Sequence, residues 1–555
     1  MYIEPFELRQ RTLGDILDDT VARFPDNDAV VYADRDFRRT WKQFSRDVDT
    51  LSKGLMALGV KEGEKIALWA SNVPFWVSLM FAASRIGAVL LTVNTSYRES
   101  ELEYLLKQSE CESLVIIDGF RDHDYIATVT ALIPEIRTQT RDRIHSERFP
   151  HLKRFFFLGM EKHRGMFSIP EVQSMAAMTS DEEYEARKAS VAPDDVVMMQ
   201  YTSGTTGFPK GVMLTHNNLG NNGYWIGYHM GYSDKDRICL PVPLFHCFGC
   251  SLGVMAAVNH GCALVILESF KPEPVMIAIE TERCTSLYGV PTMYIAIMEH
   301  PFFNRMDFSS MRTGIMAGSV CPEPLFRRAG EEMNMKEITT VYGLTESSPG
   351  MTQTHRDEEM ARRFTTVGRA MPGVEVRVAD PETCEERPRG IPGEILCRGY
   401  NVMKGYYNMP EATAQAISPE GWLHSGDIGI MDEDGYIVVT GRIKDMIIRG
   451  GENIYPRELE EFLSGIEGVM DVQVVSAPSE KYGEEVAAFV ITKPDSDLAP
   501  EDIRDYCRGK IAWHKIPRYV AIVDEFPLTA SGKVKKFELR KLAEEIVTKE
   551  KGAAV

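Results

Sequence analysis

Short apolar runs bounded by turn residues alternate with amphipathic stretches of helix length through the first 440 residues. KIALWAS (65–71), AVLLTVN (88–94), SLVIID (113–118), ALVIL (263–267) and SLYGV (286–290) have the length and composition of buried strands. Such runs separated by helices imply α/β layers with substantial parallel sheet. After Gly441 the pattern restarts on a smaller scale. DVQVVSAP (471–478), EEVAAFVITK (484–493) and YVAIVDEF (519–526) read as strands, APEDIRDYCRGKI (499–511) and KKFELRKLAEEI (535–546) as helices. The expected architecture is a large multi-layer α/β domain over residues 1–441 and a small α+β domain over 442–555, joined by a hinge.

Charge narrows the partners. The 555 residues carry a formal net charge of −19, with 44% hydrophobic and 26% charged residues. Nucleic acid and anionic membranes are disfavoured, so an anionic ligand has to be held by local groups. The start MYIEPFELRQRT lacks a basic segment followed by an apolar core, so no secretory leader is expected. FWVSLMFAASRIGAVLL is interrupted by Arg85 and Gly87, and no integral membrane span is expected. Cys247 and Cys250 form a lone C-x-x-C and read as reduced core thiols. These features fit a cytoplasmic protein.

One stretch stands out, YTSGTTGFPKGVMLTH from Tyr201 to His216. Glycine is costly to order, and repeated glycines mark a backbone that comes close to something. Hydroxyls, amides and one lysine together suit phosphate. The Walker pattern fails, because Lys210 follows Pro209 rather than a glycine, and the flanking VVMMQY and GVMLTH are strand-like. The loop therefore joins two strands and is either a phosphate holder of another kind or a plain polar linker.

Four further segments carry candidate chemistry, each with an ordinary alternative. VYGLTES puts Tyr342, Thr345 and Glu346 at a strand end, where α/β folds collect ligands, though such a Glu is often merely solvated. GWLHSGDIG sets Asp427 in a glycine-flanked turn, as a ribose ligand or a turn-former. GRIKDMIIRGGENIYP (441–456) is a linker or a hinge. PLTASGKVKK (527–536) carries Lys533, a reactive or a solubilising lysine.

Taken together, in this order and spanning about residues 10–545, these segments resemble the adenylate-forming superfamily of acyl-CoA synthetases, peptide-synthetase adenylation domains and luciferases. The resemblance implies a carboxylic acid reacting with ATP to give acyl-AMP and pyrophosphate, then coenzyme A displacing AMP. It makes Thr202, Ser203, Gly204, Thr205, Thr206, Gly207 and Lys210 the holders of the ATP phosphates. Tyr342 would stack on adenine, Thr345 bond the α-phosphate, Glu346 bind Mg²⁺, Asp427 take the ribose hydroxyls, and Arg442 the ribose or phosphate side. Lys533 would bridge the substrate carboxylate and the α-phosphate, Lys444 would be the hinge, and Gly451 would line the pantetheine tunnel. A carboxylate is ionised at neutral pH, so the chemistry needs fixed cations against anion–anion repulsion and no general base. A monomer or homodimer is expected.

PLFHCFG (243–249) has Phe245-His246 with no acid following, which disfavours amino-acid substrates; His246 reads as a carboxylate gate or as a packed core residue. Gly343 stands where acetate-activating relatives have Trp, implying an acid larger than acetate or propionate. Ala317, Gly318 and Ser319 would form one wall, with Tyr288, Val290, Phe248 and Cys250 as apolar lining. A medium-chain or cyclic acid is expected. The alternatives are a benzoate- or coumarate-like aryl substrate and, from another class, a noncatalytic nucleotide-binding protein of the same fold.

Overall fold

The computed structural model describes residues 6–202, 209–319, 321–494, 496–530 and 532–553. The chain forms two compact units, Met1–Val376 with Cys397–Leu423, and Arg377–Leu396 with His424–Val555. Compactness thus sets the seam ahead of residue 441, because the second unit takes in most of a four-stranded sheet (Val374–Ala379, Gly393–Gly399, Leu423–Met431, Ile437–Arg442) as well as the C-terminal layers.

The first unit contains two large sheets. In one, the strands Thr313–Met316, Ser286–Gly289, Arg237–Leu240, Ala263–Ile266 and Asp28–Tyr32 run parallel, and Phe37–Thr40 closes the edge antiparallel. Alternate side chains go to opposite faces, and both faces are buried. Ile238, Leu264, Tyr288 and Ile315 enter the larger core, whereas Cys239, Val265, Leu287 and Met316 enter a second core with Tyr294 and Phe326. Burial on both sides is why these runs read as continuously apolar.

The other sheet has eight strands, ordered Gly405–Tyr406, Lys210–Thr215, Val196–Thr202, Val89–Thr92, Lys65–Trp69, Ser113–Ile116, Arg154–Phe157 and Phe167–Ser168. Val196–Thr202 and Lys210–Thr215 pair antiparallel, ending with Thr202 opposite Lys210. The glycine-rich loop therefore connects two strands, and the next helix, His216–His229, begins only after the second. Its Thr215 cap accepts from the Asn218 amide while Asn218 accepts in return from the Thr215 amide.

In the second unit, the strands Val469–Ser479 and Gly483–Thr492 form the centre of a sheet covered on both faces. Val472, Val474, Val486, Ala488 and Val490 pack with Leu459, Leu463, Ile503 and Cys507 of the helices Pro456–Ser464 and Pro500–Cys507. Val475, Ala477, Ala487 and Phe489 pack on the other face with Leu539, Ala543 and Val547 of the helix Lys536–Ala553. No described helix is long and apolar enough to cross a membrane.

Candidate active site

The first unit gathers several residues singled out by the sequence. The strand Val341–Gly343 pairs antiparallel with Gly350–Gln353, placing Tyr342 opposite Thr352, and a short helical turn follows at Thr345–Ser347. Glu346 is held at both ends. Its carbonyl accepts from the Met403 amide at 2.8 Å, and its Oε1 accepts from the Tyr406 hydroxyl at 2.8 Å and the Thr202 hydroxyl at 3.4 Å. The Lys210 ammonium lies 4.8 Å from the centre of the Tyr406 ring. The entry of the glycine-rich loop therefore meets the Glu346 carboxylate directly, and its exit meets the Tyr406 ring that bonds the same carboxylate. Ser203, Gly204, Thr205, Thr206 and Gly207 lie outside the described residues.

Tyr406 is buried, and its phenol is raised above the usual range, first by burial and then by the Glu346 charge, so it is a neutral donor at physiological pH. Nothing in the local pattern of GYYNMP singles out Tyr406. Glu346 is 60 positions away and Lys210 196, and the contacts arise because Gly405–Tyr406 pairs beside Met213 and Val212.

His246 connects to the same strand end. Cys247 Sγ lies 3.5 Å from His246 Nδ1 and 3.7 Å from the Thr345 hydroxyl. The Phe248 amide donates to His246 Nδ1 at 3.3 Å, so the neutral ring carries its proton on Nε2. The helix that follows, Phe248–Val254, is wound in wide π turns, which offsets the register of Phe248 and Cys250. Phe248, Cys250, Tyr288, Val290 and Ala317 all belong to one buried cluster, with the Phe248 and Tyr288 rings 5.8 Å apart. Burial raises the Cys250 thiol to about 12, and no disulfide joins any of the described cysteines. Gly318 adopts a left-handed backbone at φ +90°, and Gly318 and Ser319 are exposed beyond the buried Ala317.

Gly343 has a local reason of its own. A Cβ there would stand 1.7 Å from the Pro349 carbonyl oxygen, so the close approach of the two strands already requires glycine. Any substitution at this position therefore disturbs the backbone before it alters a pocket.

The second unit carries Asp427, Arg442, Lys444, Gly451 and Lys533. Asp427 and Arg442 are paired across antiparallel strands, and Arg442 Nε donates to Asp427 Oδ1 at 3.0 Å. Asp427 is nearly buried, whereas the Arg442 side chain is 67% exposed. Glu394 shapes the turn ahead of Asp427, accepting from the Gly426 amide at 2.9 Å and facing His424 Nδ1 at 3.0 Å. Sequence reasoning passed over Glu394 because it sits 33 positions earlier, in an unremarkable strand. Lys444 is exposed in the single turn Ile443–Asp445, whose Asp445 is ion-paired to Arg540. Gly451 has a left-handed φ of +91° with no atom within 4 Å of a would-be Cβ. Lys533 is half-buried in a hairpin closed by two bonds, Thr529 N–H to the Lys533 carbonyl at 2.7 Å and Lys533 N–H to the Thr529 hydroxyl at 3.0 Å.

Among the described residues, no group of three or more His, Cys, Asp or Glu side chains could hold a metal. A cation bound at Glu346 would draw its remaining ligands from hydroxyls, water or substrate oxygens.

Comparison with known proteins shows the family. Residues 17–407 match the family model of the AMP-binding enzymes, and residues 458–533 match that of the AMP-binding enzyme C-terminal domain. YngI of Bacillus subtilis (strain 168), which bears the name of an acyl-CoA synthetase, is 50% identical over 96% of this chain and 97% of its own. The mitochondrial medium-chain acyl-CoA ligase ACSF2 of Danio rerio is 37% identical over 97% of this chain and 89% of its own. Among solved structures, ATP-bound MatB from Rhodopseudomonas palustris superposes with a TM-score of 0.82 at 27% identity, covering 96% of this chain and 99% of that one. The chain belongs to the AMP-binding enzyme family, in its adenylate-forming acyl-CoA synthetase branch, an AMP-forming acid–thiol ligase that uses ATP, a carboxylic acid and coenzyme A.

Proposed function

We propose that the acid is a medium-chain fatty or cyclic carboxylic acid, and that the residues named from the sequence divide the two half-reactions between them. The observation that carries the choice of acid is the buried wall of Phe248, Cys250, Tyr288, Val290 and Ala317, which has no charged side chain to hold an amino group or a second carboxylate. The ring of His246, whose Nδ1 accepts from the Phe248 amide, suits a gate for the reacting carboxylate beside that wall. The name of the ACSF2 relative points to the same acid class.

In the first half-reaction a carboxylate oxygen attacks the α-phosphorus of ATP, the bond to the bridging oxygen breaks, and pyrophosphate leaves. Thr202 and Lys210, with the intervening loop, hold the β- and γ-phosphates. Thr345 bonds the α-phosphate, Tyr342 stacks on adenine, Asp427 binds the ribose hydroxyls, and Arg442 orients Asp427 and the ribose side. Lys533 neutralises the carboxylate as it meets the α-phosphate. Glu346 offers only hard carboxylate oxygens, which suit Mg²⁺ bound through one carboxylate and substrate phosphates. When bound there, Mg²⁺ would supply charge neutralisation on the phosphates.

In the second half-reaction the thiol of coenzyme A attacks the acyl carbonyl and AMP leaves. Residues 442–555 turn about Lys444 so that the glycine at 451 lines the pantetheine path in place of Lys533. The test is pyrophosphate release across a panel of straight-chain, cyclic, aromatic and amino acids, with and without coenzyme A. Turnover highest with medium-chain or cyclic acids, and thioester only when coenzyme A is present, is the expected result. Preference for benzoate-like acids would replace this reading with an aryl-CoA ligase.

A further inference from the structure

Tyr406 lies between two groups of opposite charge. Its hydroxyl donates to Glu346 Oε1 at 2.8 Å, and its ring face carries the Lys210 ammonium 4.8 Å from the centroid. Lys210 makes no ion pair with any carboxylate among the described residues, although Glu346 is one side chain away. A lysine and a glutamate brought to one loop end would ordinarily pair directly, and each would then be masked from an incoming ligand. The phenol ring prevents this. It satisfies the carboxylate with a neutral donor and the cation with a π face, leaving Glu346 Oε2 and the remaining ammonium protons available.

The ring is itself fixed. Tyr406 is buried, the Tyr406 amide donates to the Thr413 hydroxyl at 2.9 Å, and the strand Gly405–Tyr406 pairs with Met213 and Val212. The flanking Lys404 and Tyr407 amides donate to the Met213 and Gly211 carbonyls at 2.9 and 2.8 Å. A short edge strand thus carries the phenol to a set place between the two ends of the phosphate loop.

We propose that Tyr406 is a positioning residue for the adenylation half-reaction, holding Glu346 ready for a divalent cation and keeping Lys210 separate from it. The proposal rests on the reading of Glu346 as the cation-binding carboxylate. Tyr406 touches no reacting atom and acts through Glu346 and Lys210.

The experiment compares wild type, Tyr406→Phe, Tyr407→Phe and Glu346→Gln as full-length proteins. Mn²⁺ binding to the protein–ATP mixture is followed by electron paramagnetic resonance, and the Mg²⁺ dependence of pyrophosphate release is measured alongside. Tyr407 is the control, because its hydroxyl donates to Glu110 at 2.9 Å, outside this cluster. Tyr406→Phe keeps the ring and loses only the donor. It should weaken Mn²⁺ binding and raise the half-saturating Mg²⁺ concentration by about tenfold, the usual effect of one hydrogen bond to a charged group. The rate at saturating Mg²⁺ should stay within about twofold of wild type, and Tyr407→Phe should be unchanged in both measurements. Thermal melting without metal checks that each variant is folded. If Glu346→Gln weakens Mn²⁺ binding and Tyr406→Phe does not, the role of Tyr406 is overturned while that of Glu346 stands. If Glu346→Gln itself leaves Mn²⁺ binding unchanged, the cation reading of Glu346 fails, and the inference about Tyr406 falls with it.

Discussion

Thr202 and Glu346 stand 144 residues apart in the chain, yet the Thr202 hydroxyl lies 3.4 Å from the Glu346 carboxylate. Thr202 ends the strand that enters the glycine-rich loop, and Glu346 lies just past the end of another sheet's strand. The contact brings the entry of a hydroxyl-rich loop to a carboxylate, an arrangement suited to a metal–nucleotide complex.

The first prediction follows from that contact. EDTA should abolish pyrophosphate release, and Mg²⁺ should restore it. Glu346→Gln preserves shape but removes the charge, and should lower adenylate formation by roughly 10²–10³-fold, the scale of one preorganised electrostatic contact. Full activity of the variant in metal-free buffer would remove Glu346 from the reaction.

A second prediction concerns the acyl wall. Ala317 is buried in the same cluster as Tyr288, Val290 and Phe248, so Ala317→Leu should fill the space taken by about three carbons of the acid, each worth ~0.8 kcal/mol of burial. The chain-length profile should move toward shorter acids with the rate on short acids retained. Gly343→Ala should behave differently. Its Cβ meets the Pro349 carbonyl, so it should lower the melting temperature and reduce activity with every acid alike. An unchanged profile in Ala317→Leu would mean that the acid binds elsewhere.

Sequence and structure agree where the signal is local. Every apolar run read as a strand in the first unit forms one, and the loop after Tyr201 joins two strands, because buried parallel strands and paired hairpins leave a pattern within a few residues. The identity of the branch was also legible, since the phosphate loop, the Tyr342–Glu346 segment, Asp427 and Lys533 occur in order. Tyr406 and Glu394 were not legible. Their roles come from strand pairing and turn geometry between distant segments, and neither leaves a periodicity or a spacing to read. Gly343 was legible only in part. The sequence reading gives it a steric role toward the acid, whereas the Pro349 carbonyl supplies a backbone reason that appears only once the strands are paired.

Three histidines, His216 and His229 buried and His260 half-buried, give the third prediction, on stability against pH. Burial holds His216 near pKa 4, His229 near 3 and His260 near 4, against about 6.5 in an unfolded chain. The His216 ring accepts from the Leu13 amide at 3.0 Å and His260 Nε2 faces the Tyr224 carbonyl at 2.9 Å, so both are built into the fold as neutral rings. Between pH 6.5 and about 4 the unfolded chain binds protons that the native state does not. Stability therefore rises with pH through that window and falls on acidification. Each such histidine contributes up to about 1.4 kcal/mol per pH unit. His229→Gln should make the slope of unfolding free energy against pH shallower by about that amount between pH 6 and 4.5, whatever it does to stability at neutral pH. Denaturant unfolding at several pH values measures it, and an unaltered slope would mean that His229 is protonated in the native state.

The last prediction separates the half-reactions. Lys533 and Gly451 both follow Lys444 in the chain. Lys533 lies at the end of a closed hairpin ahead of the final helix, and Gly451 projects into open space. If residues 442–555 turn about Lys444, only one of the two serves the reacting centre at a time. Lys533→Ala should lower adenylate formation by roughly 10²–10³-fold and largely spare thioester formation from acyl-AMP supplied ready-made. Gly451→Leu should do the reverse, because a branched side chain in the pantetheine path obstructs coenzyme A without touching ATP. The left-handed backbone at Gly451 adds a cost of about 1 kcal/mol to any side chain, so Gly451→Ala serves as the control for strain alone. Pyrophosphate release reports the first step, and conversion of synthetic acyl-AMP with coenzyme A reports the second. If each variant loses both steps to the same degree, a turning domain is excluded, and a single fixed arrangement must carry out both reactions.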